Sequence, residues 1–311
     1  MIAARLHEFG GVPVVEEVAD PVVADGESLV AVEAAAVAHI DVTVAGGEFA
    51  FRPELPHVPG TDGAGRIVRS SELAEGTPVR VRGGEVGLTR DGTWAELVCV
   101  PDESLDAVPE GLDMALVATF FSPCVTGWIA IHEVGRVAAG ERVAVIGAAG
   151  AVGRVATQLA LRAGAMVVGV EPDGERAADI ASGAEARRSL DGVEVDVLVD
   201  TAGGEGLQSR LESVRPSGRA VLIGYAAGTT ATLDLPAFLA RDVALLPVNL
   251  IRWNDRMRER AVELLELVCS GELECAVSRY ALDDAAKALA DVAAGRARGR
   301  AVLIPSRKER T

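Results

Sequence analysis

Arg142-Val143-Ala144-Val145-Ile146-Gly147-Ala148-Ala149-Gly150-Ala151-Val152-Gly153 is the stretch that decides the fold. Its first five residues form a short, apolar strand candidate, and glycines punctuate the turn after it. An Ala/Leu-rich segment from Ala151 to Ala163 then has the composition of a helix. At a strand-to-helix junction, glycine permits a tight turn, close approach of backbone to a pyrophosphate, and close helix–strand packing. The helix N-terminus then offers N–H groups and a positive dipole end to the anion. A second apolar strand, Met166 to Val170, ends at Glu171, eighteen residues past Gly153, where a carboxylate can reach the ribose hydroxyls of a bound dinucleotide.

Outward from this unit, strand and helix signals alternate. Val195 to Val199 reads as a strand, the region Leu207 to Val214 as a helix, and Arg219 to Ile223 as a strand. Alternation of this kind is the signature of right-handed βαβ units around a buried parallel sheet. The N-terminal part reads differently: Leu29 to Ala38, Gly65 to Arg69, Thr77 to Arg82 and Trp94 to Val100 are short β segments broken by Gly and Pro, as in a β-rich, barrel-like unit. Two amphipathic helices are expected at Arg258 to Ser270 and Leu282 to Ala294. A last strand, Arg300 to Ile304, is expected to return to the N-terminal unit. The expected division is 1–117 with 251–311 for the β-rich substrate domain and 118–250 for the dinucleotide domain.

Composition narrows the function classes. The 311 residues are 49% hydrophobic, far above the disordered range, and 30 basic against 46 acidic residues leave a net charge of −16. Such a surface repels phosphate backbones and anionic lipid, which argues against nucleic-acid and membrane partners. Only Lys287 and Lys308 are lysines, so the first 286 residues hold no lysine for Schiff-base or proton-transfer chemistry. Cys99, Cys124, Cys269 and Cys275 form no C-x-x-C pair and have no His at ligand spacing. No apolar run approaches the ~20 residues of a membrane span, and the N-terminus lacks a signal pattern, so the expectation is a soluble cytoplasmic protein.

Six short motifs in order along the chain resemble the medium-chain dehydrogenase/reductase superfamily, in its zinc-free quinone oxidoreductase-like branch. They are Val37-Ala38-His39-Ile40-Asp41, Pro59-Gly60-Thr61-Asp62-Gly63-Ala64-Gly65, Gly92-Thr93-Trp94-Ala95-Glu96, Thr126-Gly127-Trp128, the Gly147 to Gly153 turn, and Gly299-Arg300-Ala301-Val302-Leu303. The resemblance implies an α/β protein: a Rossmann doubly wound parallel sheet domain plus a β-rich GroES-like catalytic domain, with the cofactor bound in the cleft between them. It also implies that the three catalytic zinc-ligand positions of the zinc enzymes are Ala38, Thr61 and Ser122 here. None of these offers the thiolate, imidazole or carboxylate that zinc prefers.

Without a Lewis acid, the acceptors that suit hydride delivery are already electron-poor: a quinone, or the β-carbon of an α,β-unsaturated carbonyl (an enone). On the resemblance, NAD(P)H would be held by His39, Gly147, Ala149, Gly150, Ala151, Val152, Gly153, Glu171, Arg176, Ala202, Gly224 and Tyr225. Glu171 would favour NADH by repelling a 2′-phosphate, whereas Arg176, five residues on, could serve that phosphate. Asp41, in the family's most functional loop, would orient substrate or a water chain; Thr126 would lie against the nicotinamide. Tyr225 would touch cofactor or substrate, and Ser122 and Thr61 would line the pocket as hydrogen-bond partners. Phe49, Phe51, Trp94 and Trp253 are candidates to stack on a planar substrate. Phe49 stands where enoyl reductases of polyketide assembly lines often carry a proton-donating tyrosine.

The bland readings of these residues remain open beside the functional ones: an ordinary βα turn, a loop carboxylate satisfied by backbone, a helix N-cap threonine, core aromatics. Ala244 to Asn249 resembles the family's edge strand, which pairs across a two-fold axis, so a homodimer is expected. Two rival functions stay in view: a tailoring enoyl or ketone reductase acting on a natural-product intermediate, and an NAD(P)H-binding protein without catalysis.

Overall fold

The computed structural model describes residues 1–253 and 255–306; Lys308 and the end of the expected C-terminal segment lie outside them. The chain divides into two compact units, one formed by Met1–Phe120 with the segment from Ala276 onward, the other by Phe121–Cys275. Among the described residues no helix is long and apolar enough to cross a membrane.

In the first unit, β1 (Ile2–Arg5) and β2 (Val14–Glu17) pair as an antiparallel ribbon. The eleven-residue β3 (Glu27–Val37) is the spine of the main sheet and runs into a short helix, α1 (His39–Ala45). β4 (Asp62–Arg69) pairs with β3, and the backbones come so close that a Cβ on Gly65 would sit 2.0 Å from the Ala31 carbonyl oxygen. β5 (Pro78–Arg82), β6 (Leu97–Pro101) and β7 (Leu105–Ala107) follow, then α2 (Met114–Thr119). The expected strand Trp94 to Val100 therefore starts three residues late. Trp94 instead turns into the core, completely buried, and its indole N–H donates to the Ala36 carbonyl at 2.9 Å.

The second unit opens with α3 (Phe121–Trp128), which continues into a π-helical stretch, Ile129–Val134. There the Trp128 ring lies 4.0 Å from that of His132, with the Arg260 guanidinium 4.4 Å over its face. β8 (Arg142–Ile146), α4 (Ala151–Arg162), β9 (Met166–Val170), β10 (Glu185–Arg187), β11 (Val195–Asp200), α5 (Leu207–Leu211), β12 (Val214–Leu222), α6 (Leu235–Arg241), β13 (Ala244–Pro247), α7 (Leu250–Trp253) and α8 (Arg258–Cys269) complete it. Six of these strands form one all-parallel sheet in the order β10-β9-β8-β11-β12-β13. The apolar runs of β8 and β11 are buried along nearly their whole length, as central strands of such a sheet must be. Between β9 and β11, β8 marks the point where the strand order reverses, the usual place for a ligand outside the carboxyl ends of the strands.

The chain returns to the first unit with β14 (Val277–Ala281), α9 (Ala285–Ala293) and β15 (Arg300–Ile304). β15 pairs antiparallel with β3 and parallel with β14, giving the order β14-β15-β3-β4-β5-β7, with β6 also on β3. Ala285, Ala288, Leu289 and Val292 form one apolar face of α9 and join Leu6, Val30, Ile67, Val79, Trp94 and Leu303 in the core of this unit. The C-terminal boundary thus falls after Cys275 and not after 250. α8 packs on α3, and Leu264 is completely buried. Periodicity identifies the apolar face of that helix but not the surface it covers.

Candidate active site

Three turns at the carboxyl ends of β8, β11 and β12 meet around Thr201. Its hydroxyl donates to the Ile146 carbonyl at 2.7 Å, while a Cβ on Gly147 would lie 2.5 Å from that hydroxyl, and one on Gly224 would lie 2.4 Å from the Thr201 carbonyl oxygen. Gly147 has φ +69°, and its N–H donates to Val170 at 2.9 Å. Gly150 caps α4 with no side chain, leaving the first-turn amides of Ala151, Val152 and Gly153 without a capping side chain. A Cβ on Gly153 would fall 2.1 Å from the Gly147 carbonyl oxygen, so the helix can sit this close to the turn only with glycine there.

The loop after β11 is held from beneath. Asp200, buried, accepts from the amides of Ala202 (2.8 Å) and Gly203 (2.9 Å) and pairs with Arg210 at 2.7 Å. The Ala202 carbonyl accepts from Ala227 at 2.7 Å, tying the loop to the one after Gly224, where Tyr225 stands 63% exposed. Sequence reading alone misses Thr201, Asp200 and Arg210. Their signal is modest: an Asp-Thr-Ala-Gly-Gly turn directly after an apolar strand.

Glu171 follows β9 and is buried, its amide donating to the Arg187 carbonyl at 2.9 Å. Arg176, on a short 3-10 turn, brings its guanidinium to 3.5 Å from the Ala149 carbonyl oxygen, across the glycine turn. Glycine cradle, open helix N-terminus and a carboxylate past the second strand fit a dinucleotide. Ser122 and Thr126 lie four residues apart on α3, hence on one face, with Thr126 buried within the helix and not at its N-cap. The next residue, Gly127, packs closely on α4; a Cβ there would meet Val155 at 2.9 Å.

In the first unit, His39 and Asp41 lie on α1 and not in a loop. Asp41 is 1% exposed; its Oδ2 accepts from the Ala38 amide at 2.7 Å, while its Oδ1 has no hydrogen-bond partner. Burial pushes its carboxyl up to about 7; the hydrogen bond from Ala38 opposes this, and the neighbouring Asp62 charge adds to it. Asp62 itself pairs with Arg82. His39 is held below its ordinary value by desolvation and by the charge of Arg300. Thr61, the residue just before β4, is half-buried. Trp94 cannot stack on a substrate, since its whole surface is within the core. Phe49 and Phe51 form a tilted pair 6.2 Å apart with Phe51 exposed. Trp253 lies under the Arg256 guanidinium at 4.8 Å.

The residues implied as zinc ligands do not fit that metal: Ala38 has no donor, and Thr61 and Ser122 offer only hydroxyls. Among the described residues no three His, Cys, Asp or Glu side chains converge as a metal site.

Two family models match the chain in tandem: an alcohol dehydrogenase GroES-like domain over residues 24–110 and a zinc-binding dehydrogenase over 165–303. The chain is 31% identical, over 279 residues, to a phenolphthiocerol/phthiocerol polyketide synthase subunit of Mycobacterium tuberculosis, a match covering 79% of this chain but only 12% of that much longer protein. To the quinone oxidoreductase of Homo sapiens it is 25% identical over 327 residues, covering 98% of each. The quinone oxidoreductase structure from Pseudomonas syringae superposes with a TM-score of 0.84 at 25% identity, covering 98% of this chain and 99% of that one. A mycobacterial structure complexed with NADPH superposes equally well, at 25% identity and 98% and 100% coverage. With these matches, a GroES-like sheet unit and a parallel-sheet unit bearing the glycine turn, the chain belongs to the medium-chain dehydrogenase/reductase superfamily, in its quinone oxidoreductase-like branch.

Proposed function

We propose that the protein is a zinc-independent, NAD(P)H-dependent oxidoreductase that reduces a quinone or an α,β-unsaturated carbonyl. The observation that carries this reading is the glycine turn after β8, where Gly147 and Gly153 let the N-terminus of α4, its first-turn amides without a capping side chain, sit against the turn, with Glu171 buried directly after β9. The bound nicotinamide would supply hydride. The chain's own part is binding and orientation: the α4 amides would face the pyrophosphate, Glu171 would accept from ribose hydroxyls, and Ala202, Gly224 and Tyr225 would line the cofactor from the loops after β11 and β12. The hydroxyls of Ser122 and Thr126 are proposed to orient nicotinamide and acceptor. Thr61 and Asp41 are proposed to serve the acceptor, Asp41 as a group able to hold a proton near neutrality. The donor set at Ala38, Thr61 and Ser122 supports independence from zinc. The exposed edge of β13, next to α6 with Leu235 and Leu239 exposed, supports a homodimer.

Glu171 supports NADH as the preferred cofactor, since a carboxylate at the ribose repels a 2′-phosphate. Calorimetric titration should show NADH binding at least ~10-fold tighter than NADPH, about 1.4 kcal/mol, and Glu171→Ser should narrow or invert that ratio. Adding a quinone or an enone should discharge the nicotinamide absorbance, with chelators leaving the rate unchanged. If neither nucleotide binds, the reading is wrong. A second reading, reduction of an enoyl or ketone group on a natural-product intermediate, is favoured by the likeness to the polyketide synthase. It requires turnover of thioester-linked enones with simple quinones ignored. Nucleotide binding with no turnover across the panel would instead point to a non-catalytic binding protein.

A further inference from the structure

The four cysteines are unlike one another. Cys99 donates to the Glu27 carboxylate at 3.0 Å, and burial together with that partner pushes its thiol up to about 12, which keeps it protonated and unreactive. Cys269 is exposed at the end of α8. Cys124 and Cys275, 151 positions apart in the chain, bring their Sγ atoms to 3.4 Å. Cys124 is completely buried in the middle of α3, whereas Cys275 is half-buried and gives the pair its approach from solvent. A disulfide needs the two sulfurs to close by only about 1.4 Å further.

The surroundings give such a bond something to tie. The residues just before Cys275 are fastened to α4. Glu274 pairs with Arg154, its amide donates to Gln158 Oε1 at 2.8 Å and its carbonyl accepts from Gln158 Nε2 at 3.0 Å, while Glu272 pairs with Arg162 at 3.3 Å. On the other side, Cys124 lies between Ser122 and Thr126 on α3.

We propose that Cys124 and Cys275 are a redox modification site, which exchange with a low-molecular-weight disulfide converts to an intramolecular disulfide joining α3 to the segment fastened on α4. In the first step the Cys275 thiolate attacks one sulfur of the small disulfide, forming a mixed disulfide and expelling one small thiolate. The Cys124 thiolate then attacks the Cys275 sulfur, forming the internal bond and expelling the second. The protein loses two electrons and two protons, and one small disulfide becomes two small thiols. A dithiol reductant reverses both steps. This inference is independent of the acceptor and of the nucleotide preference proposed above.

The test uses the full chain incubated with oxidised glutathione, then denatured, alkylated and mapped by mass spectrometry. Two thiols should become resistant to alkylation, a peptide linking Cys124 to Cys275 should appear, and dithiothreitol should remove it. Because the bond closes so long a loop, the thermal midpoint should rise by ~5 °C or more in the oxidised form. Cys269→Ser should leave both results intact. Cys275→Ser should abolish both, and it avoids the risk that Cys124→Ser disturbs the core. Oxidation that stops at glutathione adducts, or four thiols that all remain alkylatable, would overturn the proposal.

Discussion

At Asp41 burial of the carboxylate outweighs the backbone N–H groups of Ala38 and Thr61 and the charge of Arg300, and that imbalance has a measurable sign. Its carboxyl titrates near 7 in the folded protein because burial disfavours the charged form. In the unfolded chain it returns to the ordinary range near 4. Between these values the folded state holds a proton that the unfolded state has lost. The contribution to stability is therefore complete below about pH 4 and falls as pH climbs to 7, by up to about 1.4 kcal/mol per pH unit. Asp41→Asn should flatten that slope. Urea unfolding between pH 5 and 7.5 checks it, and a variant with the parent's slope would reassign the pH dependence to other groups. The amide keeps an oxygen for the Ala38 N–H, so the cap on α1 should survive the substitution.

Among elements, α4 is the most sharply specified. Gly153→Ala would put a methyl group 2.1 Å from the Gly147 carbonyl oxygen, against backbone that cannot swing aside. The helix would have to back away from the turn, and nucleotide affinity should fall by ~10-fold or more with a smaller change in thermal midpoint, measured by the same calorimetric titration. This is also where sequence is most legible. β8, β9 and β15 have the expected bounds because a fully buried strand is an unbroken apolar run with polar or glycine ends. α1 is hidden from such reading because a seven-residue helix carries too little periodicity, and its cap is an Asp reaching backward to an alanine. Thr201 is hidden for another reason: its role lies in the space that two distant glycines leave for it, which no local pattern records.

For the whole molecule, charge is the term that sequence states most plainly. A net charge of −16 leaves the folded chain under self-repulsion, and several of the ion pairs among the described residues have both partners exposed and are worth little each. Raising salt from about 0.02 M to about 0.5 M shortens the Debye length several-fold and should raise the thermal midpoint. A fall on calorimetry would mean that the ion pairs outweigh the repulsion. The boundary at Cys275 is not legible in sequence, since the face that α8 covers depends on α3, more than a hundred residues earlier. The tryptophans are divided with that boundary: Trp94 sealed in the first unit, Trp128 in contact with an imidazole and a guanidinium in the second, with Trp253 beside Arg256. A dry indole emits at the blue end of its range, while one pressed against a titrating imidazole is dimmed as that ring gains its proton. The chain thus carries its own pair of optical reporters, so that loss of the blue band marks melting of the β-rich unit and pH-dependent brightening marks the loosening of the other.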